Sequence, residues 1–525
     1  MNRGKVAVAL ALLGGLGWGC SSEAPELADA LREDDADAEE IAESRGALAD
    51  EGARREPSTL QSARVTATLP RYDDAPRTPD ADDPAIWVPR RGEPLILGTL
   101  KDAGLAVYDL AGNTVQVVSP PRRPALASTD PPAPGAQPEA GTGACEDSAS
   151  GETFGRFNNV DIAYDVELRT GSATSRVDVA VVSDRGCDRL RFYALEAGRP
   201  GGPLRDITAD DAPRVFPRRF VRSWRLAGPA AAVTEANPLD DQNTAYGLAV
   251  ARRHGALHVF ATQRSRAVVG EVIVEATADG HLTYRPAREL RFPETFPLRG
   301  ARGERVRWTP CREEADEEPQ LEGLVYDAEA EMLYAGQEVV GLYAVRLPAT
   351  APRVVRVPPR ALVEPVKSFG AEYWAVPDGD EYRCEREAPE GAPEGTLHQA
   401  GAPGVQGRFI EADLEGLALH EGRRGRTLVA SSQGDDTFHA FRVGRGAPRY
   451  LGAFRVEGVG ETDGHAVSAA NLGGPFRGGL LVVQNGKAPA PPSEEPIAGY
   501  PYDGATRFEL IPWAAVGDAL PATRE

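Results

Sequence analysis

The stretch DADDPAIWVPRRGEPLILGTLKDAGLAVYDL, residues 80–110, is the most informative part of the chain because acids stand at the entrance of a short apolar strand. Asp82 and Asp83 lead into this strand, and Lys101 follows between two apolar runs. Adjacent carboxylates repel each other and stay ionised only when solvent, a basic partner or a metal offsets them, and hard oxygen ligands suit calcium. The stretch therefore predicts a cation site beside an anion site.

A polar or acidic entrance followed by β-type alternation recurs five more times along the chain. The six entrances are centred near residues 84, 160, 247, 323, 416 and 464, with spacings of 76, 87, 76, 93 and 48 residues. Short β-branched runs lie between them, and no long run has helical periodicity. Such spacings are typical of four-stranded blades with unequal insertions, which favours an all-β, six-bladed β-propeller, although the period alone leaves a pair of β-sandwiches open.

Three insertions interrupt this pattern, at residues 120–151, 302–318 and 370–407. They are rich in Pro, Gly, Ala and acids, so they are predicted to be surface loops.

The charge balance restricts the ligands. The chain has 58 Lys and Arg against 79 Asp and Glu, a formal net charge of -21. This charge argues against nucleic acid as a partner and ordinarily against a polyanionic substrate. A bound cation would remove the second objection.

The first residues have the pattern of an export signal. Arg3 and Lys5 precede an apolar run over residues 6–16 that is too short to span a bilayer, and Cys20 follows among small residues. We expect a lipoprotein-type signal over residues 1–20, lipidation of Cys20, and anchoring at the outer membrane or cell surface. Because Gly17 stands where leucine is usual, ordinary secretion remains the alternative. Residues 21–61 are acidic and low in complexity, which predicts a tether, and residues 62–525 are predicted to form the propeller.

Ten motifs along the chain carry a family resemblance. They are, in order, DDPAIW, LKDAGLAVYDL, NNVDIAYD, VVSDRG, YGLAV, EGLVYD, DLEGLAL, ASSQGDDTF, ETDG and VVQNGK. In this order they resemble the β-propeller phytases, the bacterial calcium-dependent 3-phytase family, over about residues 66–521. The resemblance favours one six-bladed propeller, several bound calcium ions, and phytate or calcium-phytate as the substrate. It also implies hydrolysis of phosphate monoesters by metal-activated water, and we expect a monomer because a propeller closes its own ring of sheets.

The resemblance also implies the residues of the metal site, which are oxygen donors from several blades, as calcium requires about six to eight such ligands. The expected metal ligands are Asp82, Asp83, Tyr246, Glu322, Glu338, Asp413, Glu415, Gln433, Glu457 and Asp463. Two of these positions depart from the family pattern. Glu457 stands where the family has aspartate, and the acid expected beside Glu338 is here Gln337, so the site is expected to carry one negative charge fewer.

For the substrate phosphate, the resemblance implies basic residues on the same face. They are Lys101, Arg185 and Arg264, with Asn159 and Asp161 shaping the rim. Arg264 replaces a lysine, and Ser265 replaces the acid that usually follows, which puts the arrangement of this blade in doubt. Lys101, Arg185, Asp463 and Glu415 are expected to be the catalytic residues.

The cysteines fit an oxidising compartment. Without Cys20, an even set remains, namely Cys145, Cys187, Cys311 and Cys384, and three pairings are possible. The motif order favours Cys145 with Cys187 and Cys311 with Cys384, each pair fastening an insertion to a neighbouring loop.

Two other functions remain open at this point. A calcium-dependent propeller lactonase or esterase would need one central calcium and a base in an apolar pocket, and the three basic residues argue against it. A non-enzymatic, calcium-stabilised binding propeller is the other, and the departures at Glu457, Gln337 and Ser265 keep it open.

Overall fold

The computed structural model describes residues 56–72, 78–121, 155–216, 221–222, 233–234, 243–312, 317–347, 352–379, 381–422, 425–491, 497 and 500–520. Nearly all regular elements are strands. The short helical elements are the 3-10 turns Pro359–Ala361, Gln433–Asp435 and Gly474–Phe476 and the helix α1, Trp513–Ala519. Within these ranges, no helix is long and apolar enough to cross a membrane.

Three short strands come first along the chain: β1 (Ser58–Leu60), β2 (Arg64–Val65) and β3 (Leu69–Tyr72). Blade I is the antiparallel sheet that follows, made of β4 (Pro84–Trp87), β5 (Leu95–Thr99), β6 (Leu105–Tyr108) and β7 (Thr114–Val118). Blade II has the same order, with β8 (Phe157–Thr170), β9 (Ala173–Asp184), β10 (Arg189–Leu195) and β11 (Leu204–Asp206). A small hairpin follows, formed by β12 (Val221–Arg222) and β13 (Val233–Thr234).

Blade III contains β14 (Ala245–Arg253), β15 (Ala256–Gln263), β16 (Val268–Ala276) and β17 (Leu282–Arg291). A second hairpin follows, formed by β18 (Phe296–Arg299) and β19 (Arg305–Trp308). Blade IV contains β20 (Leu321–Asp327), β21 (Met332–Gln337), β22 (Gly341–Arg346) and β24 (Leu362–Pro365), while β23 (Val354–Arg356) returns to pair with β17. A separate three-stranded sheet then forms from β25 (Tyr373–Asp378), β26 (Glu381–Glu385) and β27 (Leu397–Gln399).

Blade V contains β28 (Leu414–Gly422), β29 (Gly425–Ser432), β30 (Thr437–Val443) and β31 (Arg449–Val456). Blade VI takes β32 (His465–Ser468), β33 (Leu480–Asn485) and β34 (Tyr502–Pro512) from the end of the chain and β2 from its beginning. The innermost strands β4, β8, β14, β20, β28 and β32 contact one another in this order, and β32 also contacts β4. The ring is closed, and the prediction of a six-bladed propeller is confirmed.

The beginning of the chain closes the ring and covers a sheet edge. The Ala63 N–H donates to the Leu510 carbonyl at 2.8 Å, and β1 pairs in parallel with β31 of blade V. Leu60 is buried in the core between these elements. The expected tether over residues 21–61 therefore extends too far, because residues 58–60 already belong to the propeller; residues 1–55 lie outside the described residues. The acidic composition of this region gave no indication of β1, because β1 is stabilised by pairing with β31, which is distant in sequence.

The core lies between the blades because each sheet buries both faces. Trp87 and Leu97 of blade I pack with Val160 and Val182 of blade II, and all four side chains are almost fully buried. Burying a side chain of this kind contributes roughly 1.5–3 kcal/mol, so the interfaces between blades supply much of the stability.

The antiparallel order of each blade places two loops at the same end of the ring. The innermost strand begins there, and the turn between the second and third strands returns there; in blade I these are residues 80–83 and 100–104. Connections from an outermost strand to the next blade end on this side too, as residues 292–320 and 366–413 do. We call this end the loop face.

The insertions are more ordered than predicted. Residues 302–318 include β19, and residues 370–407 contain the sheet of β25, β26 and β27, whose alternating sequence YWAVPD is typical of a strand. A disulfide joins Cys311 to Cys384, with an S–S distance of 1.99 Å and a Cα–Cα distance of 6.1 Å, so the two insertions are linked. Cys187 is also in a disulfide. Cys145 and most of residues 120–151 lie outside the described residues.

Candidate metal and phosphate site

The predicted site residues lie at the two positions that each blade presents on the loop face. The starts of the innermost strands carry Asp82, Asp83, Asn159, Asp161, Tyr246, Glu322, Asp413, Glu415 and Asp463. The turns between second and third strands carry Lys101, Arg185, Arg264, Glu338 and Gln433. Residues separated by hundreds of positions in sequence are thus brought to one end of the ring.

Lys101 is surrounded by carboxylates. Its ammonium nitrogen Nζ lies 2.8 Å from Asp80, 3.7 Å from Asp82 and 3.4 Å from Asp463. Burial alone would lower the pKa of Lys101, but the three acids outweigh it and raise the pKa above its usual range. Lys101 therefore keeps its positive charge at physiological pH.

Asp463 connects this lysine to blades V and VI. The Gln433 side-chain amide donates to Asp463 Oδ1 at 3.0 Å, and the Asp463 N–H donates to Gln484 Oε1 at 2.9 Å. Burial raises the pKa of Asp463 to about 6, against the opposing effect of Lys101.

A second group is formed by three glutamates from blades IV and V. One carboxylate oxygen from each of Glu322, Glu338 and Glu415 lies within 4.8 Å of the other two, and all three residues are buried. Burial and repulsion from Glu338 and Glu322 raise the pKa of Glu415 well above its usual range. The pKa of Glu338 is raised in the same way, by burial and by Glu322 and Asp413. Like charges at this distance call for a counterion.

The arginines lie beside the glutamates. The Arg185 guanidinium carbon stands 5.5 Å from the centroid of the Tyr246 ring, at cation–π distance. Burial, with repulsion from Arg264 and Arg156, lowers the pKa of Arg185 to about 9. Burial, with the charges of Glu322, Glu338 and Glu415, raises the pKa of Tyr246 well above its usual range, while Arg185 acts in the opposite direction, so Tyr246 lies between the acidic and the basic groups. Crowded cations of this kind form a site for an anion.

Some predicted residues have other contacts. Asp83 Oδ2 accepts the Val160 N–H at 3.1 Å, and Asp161 Oδ2 accepts the Val250 N–H at 2.8 Å, so each also fastens its blade to the next. The Asn159 N–H donates to the Ser183 hydroxyl, and its side-chain oxygen accepts from Asn158.

Glu457 and Gln337 have surroundings that the family pattern does not indicate. Glu457 follows the outermost strand of blade V and is exposed, and among the described residues no hydrogen bond or ion pair joins its side chain to the other expected ligands. The Gln337 side-chain amide donates to the carbonyls of Pro319 and Pro293.

Ser265 contacts the insertion before blade IV. Its hydroxyl donates to Glu317 Oε1 at 3.2 Å, so a carboxylate lies beside Ser265.

Sequence reasoning missed four residues that hold the expected ligands. Asp80 pairs with Lys101, Asn158 donates to Glu322 at 3.1 Å, Gln320 donates to Glu338 at 2.8 Å, and Gln484 accepts from Asp463. Only Asp80 could have been predicted from the sequence. It stands two residues before Asp82, and side chains two apart in an extended segment point to the same side.

The donors fit a divalent cation. Glu338 Oε1 and Glu415 Oε2 are buried and have no hydrogen-bond partner in the part of the chain that the structure describes, and the same holds for Asp82 Oδ1. Uncompensated buried carboxylate oxygens are costly, and a hard cation with oxygen ligands would satisfy them.

Fold and site together define a six-bladed propeller with a candidate metal and anion site on its loop face. The sequence profile of the Phytase family matches residues 368–520, which contain Asp413, Glu415, Gln433 and Asp463. The 3-phytase of Bacillus subtilis (strain 168) is 23% identical over 422 residues, covering 78% of this chain and 75% of the relative. The two matches support assignment of the chain to the phytase family, so the predicted resemblance is confirmed.

Solved structures show weaker similarity. Regucalcin from Agrobacterium tumefaciens, a calcium-binding protein, aligns over 87% of this chain and 97% of its own, with a TM-score of 0.34 and 10% identity. Sqt1 from Chaetomium thermophilum aligns over 81% of this chain and 85% of its own, with a TM-score of 0.33 and 12% identity.

Proposed function

We propose that this protein is a calcium-dependent 3-phytase, which hydrolyses phosphate monoesters of phytate to lower inositol phosphates and inorganic phosphate. The observation that carries the proposal is the group of three buried glutamates beside Lys101 and Arg185 on one face of a propeller. The similarity to a curated 3-phytase supports the same reaction.

In this proposal the acidic residues bind calcium and the basic residues bind the phosphate. Glu322, Glu338 and Glu415, with Asp82, Asp413 and Asp463, would hold calcium, while Tyr246 and Gln433 offer further oxygens. Bound calcium would neutralise phosphate charge and activate the attacking water. Lys101 and Arg185 would orient the phosphate, and Arg185 supplies a planar fork that matches two phosphate oxygens. This division explains how a chain of net charge -21 accepts a polyanion.

Substitution of Lys101 tests the site directly. We expect Lys101→Ala to lower phosphate release from phytate by roughly 100-fold, because a fixed charge in a water-poor site contributes a few kcal/mol to the transition state. The assay compares wild type and variant, each in calcium and in chelator. Wild-type release should require calcium.

Lys487→Ala is the matched control. Lys487 lies on the same face in blade VI, but it is half exposed and pairs with Asp436 and Glu461. It should leave release unchanged. No wild-type release at any calcium concentration would contradict the proposal and favour the binding propeller.

We also propose that the protein is exported and anchored by a lipid on Cys20, which lies outside the described residues. The apolar run over residues 6–16 with Cys20 behind it supports this proposal. In fractionated cells, Cys20→Ser should move the full chain from the membrane to the soluble fraction. An unchanged soluble distribution of both forms would favour ordinary secretion.

A further inference from the structure

The end of the ring away from the loop face carries a group of arginines on blades V and VI. Arg442, Arg445 and Arg449 lie in and beside the turn between β30 and β31, and Arg477 lies in the connection between β32 and β33. Both connections are at this end, because the first and third strands of a blade run away from the loop face. We call these four residues the arginine patch.

The exposed arginines of the patch have no acidic partner among the described residues. Arg445, Arg449 and Arg477 are exposed, and within the described ranges no hydrogen bond or ion pair involves their side chains. Arg442 and Arg449 stand opposite each other in the register of β30 and β31, where like charges destabilise a sheet. Burial and the charge of Arg449 lower the pKa of Arg442. The patch therefore presents positive charge to solvent.

The surroundings of the patch contain few exposed acids. Arg426, on the neighbouring strand β29, already pairs with Asp327 and Glu329 at 2.9 Å each. At this end of blades V and VI, the exposed acids in the part of the chain that the structure describes are Glu421 and Asp518, and neither forms an ion pair with the patch. The patch is thus a local excess of positive charge on a chain of net charge -21.

The beginning of the described chain joins the propeller beside the patch. Strand β1 pairs in parallel with β31, and β31 begins at the patch with Arg449 and runs toward the loop face. Because β1 has the same direction, the chain enters it from the side of the arginine patch and not from the loop face. Cys20, on which a lipid is proposed, lies before this point in the sequence.

We propose that the arginine patch docks on the anionic phospholipid surface of a membrane, so that the loop face points away from the lipid. Guanidinium groups suit the headgroup phosphates, and basic residues near an anionic membrane each add to binding. The rest of this acidic chain is repelled by the same surface, which leaves the patch as the part that faces it.

The patch orients the protein more than it holds it. A few exposed arginines give weak binding that salt screens, whereas an acyl chain together with a basic patch gives a stable attachment. The inference does not require the lipid on Cys20, because the arginines act without it. A test on a chain without that lipid therefore separates the two proposals.

Vesicle binding of the full chain with Cys20→Ser tests the inference. We would measure its partition onto vesicles of phosphatidylglycerol and phosphatidylcholine and onto vesicles of phosphatidylcholine alone, which report any binding through the apolar residues 6–16. Arg445→Ala/Arg449→Ala should lower the partition onto the anionic vesicles about 10- to 30-fold at low salt and leave the neutral vesicles unaffected. Arg445→Lys/Arg449→Lys should keep most of the binding, because the charge is preserved.

Arg302→Ala/Arg307→Ala is the matched control, because it removes two exposed arginines from the connection of residues 292–320 on the loop face. It should leave the partition unchanged. Equal loss in both alanine variants, loss in the lysine variant, or binding that salt does not weaken would overturn the inference. Failure of the Cys20→Ser chain to prefer anionic vesicles would also overturn it, and would favour the chain's own acidic residues 21–55 as the occupant of the patch.

Discussion

Replacing Glu322 with glutamine is expected to lower kcat/KM for phosphate release from phytate by roughly 100- to 1,000-fold, the largest loss from a single substitution in the chain. Glu322 lies at the electrostatic centre of the loop face. Its charge acts on Asp82 and Asp463 on the lysine side and on Glu338 and Glu415 on the other. Glutamine keeps the shape and the contact with Asn158 but removes the charge that would hold the cation.

The measurement is phosphate release across a calcium titration. If Glu322 is a ligand, the variant needs more calcium for half-maximal activity, and its maximal rate stays low. Glu329→Gln is the control, because Glu329 belongs to the same blade but lies in the β20–β21 turn at the opposite end of the ring, where its side chain is 77% exposed and pairs with Arg426. A Glu322→Gln enzyme with normal calcium dependence would exclude Glu322 as a ligand.

The fold could be predicted because its signal repeats. Each blade begins with a polar entrance and a short apolar strand, so six weak motifs in order support one another. The same reasoning does not predict the outer strand of blade VI. This strand is β2, near the beginning of the chain, and its pairing with β34 leaves no local sequence pattern because the two segments are distant in sequence.

The site could be predicted at strand entrances and turns, which the topology brings to one face. A motif gives the order of residues but not the neighbours of each side chain, so the contacts of the Gln337 amide with the carbonyls of Pro319 and Pro293 could not be predicted. Asn158, Gln320 and Gln484 were missed because amides that orient carboxylates look like any other polar residue in a sequence. The favoured pairing of Cys311 with Cys384 is confirmed, but the sequence does not show which side chains this link between residues 73 positions apart brings together.

The glutamate group also predicts a stability effect whose sign depends on calcium. In chelator, Glu415→Gln should raise Tm by a few degrees, because it removes one of three crowded buried charges and relieves repulsion on the order of 1–2 kcal/mol. With calcium at about 100 times its Kd, binding stabilises the wild type by about 2.7 kcal/mol per site, and the variant loses much of this stabilisation. The order of the two Tm values should therefore reverse between chelator and calcium.

Thermal unfolding of both proteins in both buffers measures this reversal, with Glu421→Gln as the control at the exposed end of the same strand. A variant less stable than wild type in both buffers would mean that Glu415 serves mainly as a buried hydrogen-bonding group. Equal calcium stabilisation of wild type and Glu415→Gln would mean that the ion binds elsewhere. Only the reversal is consistent with carboxylates that repel one another without a cation and bind one together, as the proposed calcium-dependent reaction requires of a chain with a net charge of -21.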